Sequence, residues 1–305
     1  MRSLLFIAPA DLGEAVLAGA ALNAMLTPET TLDLACDARL APLFRAAPGL
    51  RAVHHLDGGG FRGWLKLARD LAEAHFDVAL DLSRRRLGLA VRADRRIVRG
   101  SPRVLRHLIE EFADLIGVER LAPHVWLDDA ARSAAPPEKG PLLALAPGPA
   151  PAAEWPAERF AATARRLVGG AGPLAGGRVA ILGAAMDSAR AIASSLDADG
   201  VPARNLAGRL DILAEAAVLE RVTLCLGSDV ALMHAASAVG APVLGLFGAS
   251  DERIVGPYGA RTRALRGRTY EDIMSGAVAG NGLDALSVDV VENASLDLLR
   301  GGGLQ

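Results

Sequence analysis

The chain has 305 residues, a formal net charge of −2 at pH 7, and 51% hydrophobic residues. This length accommodates two domains of about 150 residues, each with an ample core. The lack of a basic excess, with only 4% aromatic residues, argues against a nucleic-acid-binding protein. The two cysteines, Cys36 and Cys225, stand far apart without a C-x-x-C pair, which fits a reducing compartment and argues against a structural zinc site.

The sequence predicts a cytoplasmic protein. It has no run of about 18 apolar residues that would span a bilayer. Its apolar first residues meet Asp11 too early for a signal peptide, so we expect none.

Apolar strands and helices alternate through the first part of the chain. The pattern predicts strands over residues 4–8, 31–35, 53–56, 77–82 and 97–98, and helices over residues 13–25, 63–75 and 104–116. A Pro-rich polar stretch at residues 134–141 then interrupts the alternation and is typical of a linker.

Beyond this stretch the alternation resumes. The pattern predicts strands over residues 142–146 and 178–182, helices over residues 156–168, 188–195 and 213–220, and a last helix over residues 290–299. Two βαβ arrays joined by a linker indicate two Rossmann-like domains. We therefore place the first domain at residues 1–135, the linker at 136–141 and the second domain at 142–305.

Residues 224–259 form the most informative segment. They predict a buried strand, a tight turn, a helix that begins at Asp229, a second strand and a polar loop with Ser250 and Asp251. Free N–H groups at a helix start favour anions, and open α/β sheets bind nucleotides at such strand ends. On pattern alone, an ordinary βαβ unit and a nucleotide site remain equally open.

The same segment resembles the C-terminal signature of glycosyltransferase family 9, the ADP-heptose:lipopolysaccharide heptosyltransferases. The matching positions are Asp229, His234, Ala236, Gly240, Pro242, Phe247, Gly248, Ser250, Asp251 and the run Gly256-Pro257-Tyr258-Gly259. The chain departs from the signature at Val230-Ala231, where the family has a polar-small pair, and at Ala249, where it has proline. The resemblance implies an α/β protein of the GT-B fold, with two Rossmann-like domains facing a central cleft. It also implies that the helix at residues 290–299 packs back on the first domain.

Glu14 stands where the family has its proposed catalytic base, an aspartate, in the loop after the first strand. A carboxylate there can take a proton from an acceptor hydroxyl as the hydroxyl attacks the anomeric carbon. The alternative is that Glu14 only complements the helix dipole. Asp11 is a second candidate for the base, with helix capping as its alternative role.

Residues 145–160 resemble a second family motif, in which Gly148, Trp155, Pro156, Glu158 and Phe160 match. The basic residue that meets the donor diphosphate in the family falls at Ala153, beside Glu154. An acid near a diphosphate repels it, so another arginine substitutes, donor binding is weakened, or the protein no longer uses the usual donor. For Trp155 we favour core packing over a stacking role.

Further nucleotide contacts follow from the resemblance. Asp187 fits the acid that accepts from a ribose hydroxyl, with an N-cap as its alternative role. Arg209 and Leu210 lie in a run that leads into the nucleotide pocket, and Arg209 is a candidate for the missing phosphate contact. Val230 and Ala231 supply backbone N–H groups beside Asp229, and His234 supports Asp229 from below.

The first domain is expected to bind the acceptor through Gly13, Arg62 and Arg84. Arginine suits phosphate and carboxylate groups, although a run such as residues 84–86 is usually a solvated face. We expect no metal and no cofactor, because Asp197 and Asp199 lie in a predicted surface turn and the pair His54-His55 lacks a third ligand.

The predicted function is an inverting transfer of a sugar, by resemblance a heptose, from a nucleotide-sugar co-substrate, by resemblance ADP-linked. The acceptor is a lipopolysaccharide core or lipid-linked glycan in a bacterial cell, with at most peripheral contact at the inner face of the inner membrane. Two alternatives remain. The first is a catalytically impaired GT-B protein that binds or regulates. The second is another GT-B enzyme, such as a nucleotide-sugar epimerase or a transferase with a different nucleotide-sugar donor.

Overall fold

The computed structural model describes residues 2–56, 60–101, 105–148, 154–184, 186–276 and 280–301, with the backbone alone for residues 60–64. The chain divides into two compact units, Met1–Trp126 and Leu127–Gln305. Each unit is built on its own parallel sheet, as the alternating pattern predicted.

The first unit has a five-stranded sheet in the order β3-β2-β1-β4-β5. Its strands are β1 (Arg2–Ile7), β2 (Thr30–Cys36), β3 (Leu50–His55), β4 (His75–Asp81) and β5 (Arg92–Val98). Its helices are α1 (Leu12–Met25), α2 (Ala41–Phe44), α3 (Gly60–Asp70) and α4 (Leu108–Ile116). Every strand pair is parallel. The core strands read as nearly continuous apolar runs because both faces of a parallel sheet are covered.

Helix α1 is buried around most of its surface, which explains its alanine-rich sequence without a polar face. Asp11 caps it by accepting a hydrogen bond from the Glu14 backbone N–H at 2.9 Å. A Cβ at Gly19 would lie 2.4 Å from the carbonyl oxygen of His124, so only glycine permits this close approach. The hydrogen bond from the Glu14 N–H confirms the capping role of Asp11.

The second unit has a six-stranded sheet in the order β11-β10-β9-β6-β7-β8. Its strands are β6 (Leu142–Ala146), β7 (Arg178–Ile181), β8 (Ala203–Asn205), β9 (Leu224–Gly227), β10 (Val243–Phe247) and β11 (Thr262–Arg266). Its helices are α5 (Asp129–Ala134), α6 (Ala157–Val168), α7 (Asp187–Ala198), α8 (Ile212–Leu219), α9 (Val230–Ala238), α10 (Glu252–Val255), α11 (Tyr270–Met274) and α12 (Val288–Leu299). These strands also pair in parallel.

The boundary between the units lies after Trp126, whereas the sequence placed the end of the first domain at residue 135. The reason is α5, which packs against α8 of the second unit and was not predicted. Its Arg132 pairs with Glu220 at 3.3 Å.

Helix α12 belongs to the second unit. Ser287 caps it by accepting from the Val290 backbone N–H, so the helix begins two residues before the predicted start at 290. Val291, Ala294 and Leu298 enter the second unit's core, where α12 packs against α6. These three side chains of α12 are therefore buried within the second unit.

The strand order reverses once in each sheet. In the first sheet the chain runs from β1 outward to β3 and then returns to β4, beside β1. In the second it runs from β6 outward to β8 and returns to β9, beside β6. Ligands of open α/β sheets bind outside the carboxyl ends of the strands at such reversals. None of the helices in the described part of the chain is long and apolar enough to cross a membrane.

Candidate functional site

The loops after β6 and β9 lie side by side at the point where the strand order of the second sheet reverses. The carbonyl oxygen of Ala146 accepts from the backbone N–H groups of Ser228 at 2.9 Å and Asp229 at 3.2 Å. A Cβ at Gly227 would lie 2.2 Å from that same oxygen, so glycine is required where the strands end. The turn that precedes α9 is therefore fixed by backbone contacts.

Asp229 caps helix α9. Its side chain is buried, and its Oδ1 accepts from the Leu232 backbone N–H at 3.1 Å. The next two residues, Val230 and Ala231, begin the helix, where backbone N–H groups have no carbonyl partner within the helix. The helix dipole and these donors together form an anion-binding arrangement. His234 lies farther along α9 and is fully buried.

Gly183 is the second residue after β7 and lies beside Asp229. Its φ of +101° lies in the region that favours glycine. A Cβ at Gly183 would lie 3.5 Å from Oδ2 of Asp229 and 3.7 Å from the carbonyl oxygen of Pro147. The ends of three neighbouring loops thus meet here.

Glu215 is a residue of this site that sequence reasoning missed. It lies on α8, all of whose side chains are buried, and its Oε1 accepts from the Gly183 backbone N–H at 2.7 Å. Burial raises the pKa of Glu215 to about 7, helped by the nearby charges of Asp229 and Asp211 and opposed by the Gly183 hydrogen bond. The available signal was a single acid inside the apolar run ILAEAAVL.

The other expected nucleotide contacts occupy the same edge of the sheet but differ in exposure. Asp187 opens α7 with its side chain 93% exposed and paired with Arg190. The alternative that it caps α7 is wrong, because Met186 holds the N-cap position and extended backbone geometry there. Arg209 is exposed and Leu210 half-buried, after the turn at Gly208, whereas Gly148 is buried directly after β6.

Trp155 is a core residue, as favoured from the sequence. It is fully buried, its Nε1 donates to the Leu286 carbonyl at 3.0 Å, and its ring meets Phe160 edge-on at 5.1 Å. The preceding Glu154 accepts from the Ser188 hydroxyl at 2.8 Å. Ala153, the position of the missing basic residue, lies outside the described residues.

Asp251, the last acid of the family signature, is engaged by its neighbours. It caps α10 through the Arg253 backbone N–H at 3.0 Å, and the Arg253 guanidinium binds both of its carboxylate oxygens. This pairing lowers the pKa of Asp251. Asp251 thereby anchors the loop after β10.

In the first unit, Glu14 lies in the first turn of α1, directly after the central strand β1. Its Oε2 accepts from the Arg99 guanidinium at 2.7 Å. Arg99 is 1% exposed, pairs also with Glu111 at 2.8 Å, and places its guanidinium over the Phe112 ring at 5.0 Å. Arg99 and Glu111 were not singled out from the sequence, and they fix the Glu14 carboxylate in place.

The three residues expected to bind the acceptor lie on different elements of the first unit. Arg84 follows β4 and has a left-handed backbone with a φ of +60°. Its guanidinium Nη2 is 3.8 Å from Oε2 of Glu111. Gly13 is buried in the first turn of α1. Position 62 was expected in a loop, but α3 begins at Gly60, so that position is helical; the Arg62 side chain lies outside the described residues.

Within the described ranges, no group of three or more His, Cys, Asp or Glu residues is arranged to hold a metal ion. Asp199, part of the D-x-D sequence, pairs with Arg165.

Comparison with known proteins gives a consistent family. The sequence model of glycosyltransferase family 9 (heptosyltransferase) matches residues 83–275, more than half of the chain. Lipopolysaccharide heptosyltransferase 2 of Salmonella typhimurium is 27% identical over 166 residues. That match covers 52% of this chain and 46% of the relative, so it spans about half of the relative's length.

Two solved structures share the fold. The glycosyl transferase family 9 protein of Veillonella parvula has a TM-score of 0.78 and 20% identity, covering 98% of this chain and 97% of that one. The E. coli ADP-heptose lps heptosyltransferase II has a TM-score of 0.76 and 20% identity, covering 98% of this chain and 99% of that one. These likenesses confirm the GT-B fold class with its two Rossmann-like units.

Proposed function

Because the chain belongs to glycosyltransferase family 9, the heptosyltransferase family, we propose that it is an inverting glycosyltransferase. It moves a heptose from an ADP-linked donor to a lipopolysaccharide core or lipid-linked glycan. The observation that carries the proposal is the start of α9, capped by buried Asp229 at the point where the strand order of the second sheet reverses. The family description and the name of the Salmonella relative support heptose as the sugar.

The donor site of the proposal is on the second unit. The first N–H groups of α9, at Val230 and Ala231, bind the diphosphate and stabilise the charge that develops as it leaves. Asp229 holds the turn, and Gly148 leaves space for the sugar phosphate beside it. Asp187, whose carboxylate is exposed at the start of α7, accepts from the ribose hydroxyls. Arg209 supplies the cation that Ala153 does not.

The acceptor site of the proposal is on the first unit, where Gly13, Arg62 and Arg84 bind the anionic acceptor. Glu14 takes the proton from the acceptor hydroxyl, the hydroxyl oxygen bonds to the anomeric carbon, and the bond from that carbon to the diphosphate breaks. The Glu14 hydrogen bond to Arg99 uses Oε2, so Oε1 is the proton acceptor. Arg99 keeps that oxygen in one orientation, as general-base geometry requires.

The donor half of the proposal is tested by calorimetric titration of ADP, ADP-mannose as a surrogate donor, and UDP into the wild type and Asp229→Ala. We expect saturable binding of the adenine nucleotides, weaker in the variant. Asp128→Ala is the matched control, because Asp128 also caps a helix of the second unit, accepting from Ala131 N–H at 2.7 Å. Each variant loses one helix cap, about 1 kcal/mol of stability, but only Asp229 is at the strand-order reversal.

The catalytic half is tested with Glu14→Gln in a transfer assay that detects the glycosylated acceptor by mass spectrometry. We expect loss of transfer with nucleotide affinity unchanged. Nucleotide binding without transfer by the wild type, on all acceptors tried, would instead favour the binding-protein alternative. If neither ADP nor UDP binds at millimolar concentration, the proposed function is wrong.

A further inference from the structure

Glu215 is a carboxylate in an apolar setting. It is 7% exposed, and every other residue of α8 is buried with it. Within the described part of the chain, no cation forms an ion pair with it. A buried charge without a counter-charge is costly, and such groups concentrate at functional sites.

The hydrogen bonds of Glu215 reach the loops of the candidate nucleotide site. Its Oε1 accepts from the Gly183 N–H at 2.7 Å, and the Gly183 carbonyl in turn accepts from the Gly208 N–H at 2.7 Å. Gly183 also lies against Asp229, the cap of α9. Glu215 therefore links α8 to the loops after β7 and β8, at the position where they adjoin the start of α9.

The charges around Glu215 are mainly of its own sign. Helix α8 packs against α5 and α9. The titratable and charged groups of these elements, of α8 itself and of adjacent β9 are Asp128, Asp129, Arg132, Asp211, Glu220, Cys225, Asp229 and His234. Arg132, the cation among them, pairs with Glu220. Asp229 and Asp211 are the charges that act on Glu215, and both favour its neutral form.

We propose that Glu215 is a positioning residue for the nucleotide site and that its carboxylate takes up a proton when a nucleoside diphosphate binds at the start of α9. This inference rests on the proposed function. The bound diphosphate adds negative charge beside Asp229, which disfavours a second charge on Glu215. The proton comes from solvent and bonds to Oε2, while Oε1 continues to accept from Gly183. The loop is held in both states, and only the charge changes.

The burial of Glu215 supports this mechanism, because it raises the pKa of Glu215 to about 7. The Glu215 carboxyl group of the nucleotide-free protein is then partly ionised at neutral pH. Diphosphate binding then tips the balance towards the neutral form. Nucleotide affinity accordingly falls as the pH rises above 7. Glutamine at this position has the hydrogen-bond acceptor but no charge, and alanine has neither.

The experiment is calorimetric titration of ADP at pH 7 in buffers of different ionisation enthalpy, which counts the protons exchanged on binding. The phosphate of ADP titrates near this pH as well, so the difference between the wild type and Glu215→Gln isolates the protein's share. We expect net proton uptake to be greater in the wild type by a fraction of one proton. We also expect Glu215→Gln to bind ADP at least as tightly and to lose the affinity decrease between pH 7 and 8.5.

Two further variants separate position from charge. Glu215→Ala removes the partner of the Gly183 N–H, and we expect ADP affinity to fall on the order of tenfold. Glu220→Gln, at the exposed end of the same helix, should leave proton uptake as in the wild type. If Glu215→Gln does not fold, the ¹³C carboxyl shift of Glu215 in labelled wild type, titrated with and without ADP, reports the same protonation directly.

Equal proton uptake by the wild type and Glu215→Gln, or a Glu215 carboxyl shift that ADP does not move, would overturn the inference while the proposed function stands. Failure of the wild type to bind either ADP or UDP would instead remove the proposed function itself. The two failures are therefore distinct.

Discussion

Arg99 offers the sharpest stability test of the first unit. Its guanidinium is 1% exposed and pairs with Glu14 at 2.7 Å and Glu111 at 2.8 Å. Replacing Arg99 by methionine keeps most of the volume but leaves two carboxylates without their shared cation. Breaking an ion pair costs about 3–5 kcal/mol when the charge left behind is buried, but Glu14 and Glu111 keep 28% and 20% of their side chains exposed, so water solvates part of each carboxylate. The lost charged hydrogen bonds then cost about 1.5–3 kcal/mol, and the lost contact with the Phe112 ring adds about 1 kcal/mol. We therefore expect Arg99→Met to destabilise the first unit by about 2–4 kcal/mol.

The matched control is Arg166→Met. Arg166 also pairs with two carboxylates, Asp289 at 2.5 Å and Glu292 at 2.7 Å, but its side chain is 46% exposed. Solvent screens such exposed pairs, so this variant should unfold at a urea concentration close to that of the wild type. Urea denaturation followed by circular dichroism measures both midpoints. If the two variants lose similar stability, the buried pairs of Arg99 do not carry the energy that their burial implies, and the reasoning is refuted.

Three further predictions concern the second unit. Glu215→Gln should become more stable than the wild type as the pH rises. The Glu215 carboxyl group has a pKa of about 7 in the folded protein and 4.5 in the unfolded chain. The wild type therefore loses up to about 3 kcal/mol of unfolding free energy between pH 4.5 and 7, which the glutamine variant keeps. Denaturation midpoints at pH 5 and 8 measure this, and a constant difference would contradict it. Gly183→Ala, at φ +101°, should weaken ADP binding by calorimetry while leaving the sheet's circular dichroism intact; unchanged affinity would place the nucleotide elsewhere. Trp155→Phe should lower the unfolding midpoint, since the Leu286 carbonyl loses its donor, yet leave ADP affinity unchanged, and weaker binding would restore a stacking role.

The sequence predicted much of the fold because each sheet's core strands are continuous apolar runs. Strand β6 was predicted with its observed bounds, and the helix after Asp229 begins where the capping residue indicated. The short elements α2, α5, β8, α10 and α11 were missed, as was β11. Their few residues lack a clear period, and they are fixed by packing on longer elements.

The candidate site was predictable only where its residues are consecutive. Asp229 and its turn carry a local signal, since a capping acid follows a strand directly. Glu215 and Arg99 carry no such local signal, because their partners are remote in sequence. Glu215 accepts from the N–H of a residue 32 positions away, and Arg99 donates to a carboxylate 85 positions away. An isolated acid in an apolar helix, or an arginine after a strand, predicts no partner until the sheet brings the strand ends together.

The glycines at the strand ends of the second unit have a consequence for how such a site changes over evolution. An added Cβ would lie 2.2 Å from a backbone carbonyl oxygen at Gly227 and 2.3 Å from one at Gly248, and Gly183 has a φ of +101°. Side chains are therefore excluded at these three positions near the start of α9 by close backbone contact or by backbone conformation. Peptide N–H donors stay the same whichever side chains follow Asp229. Val230-Ala231 can thus replace the polar-small pair of the family signature while the same backbone donors remain, so side chains here are free to diverge while the glycines are not.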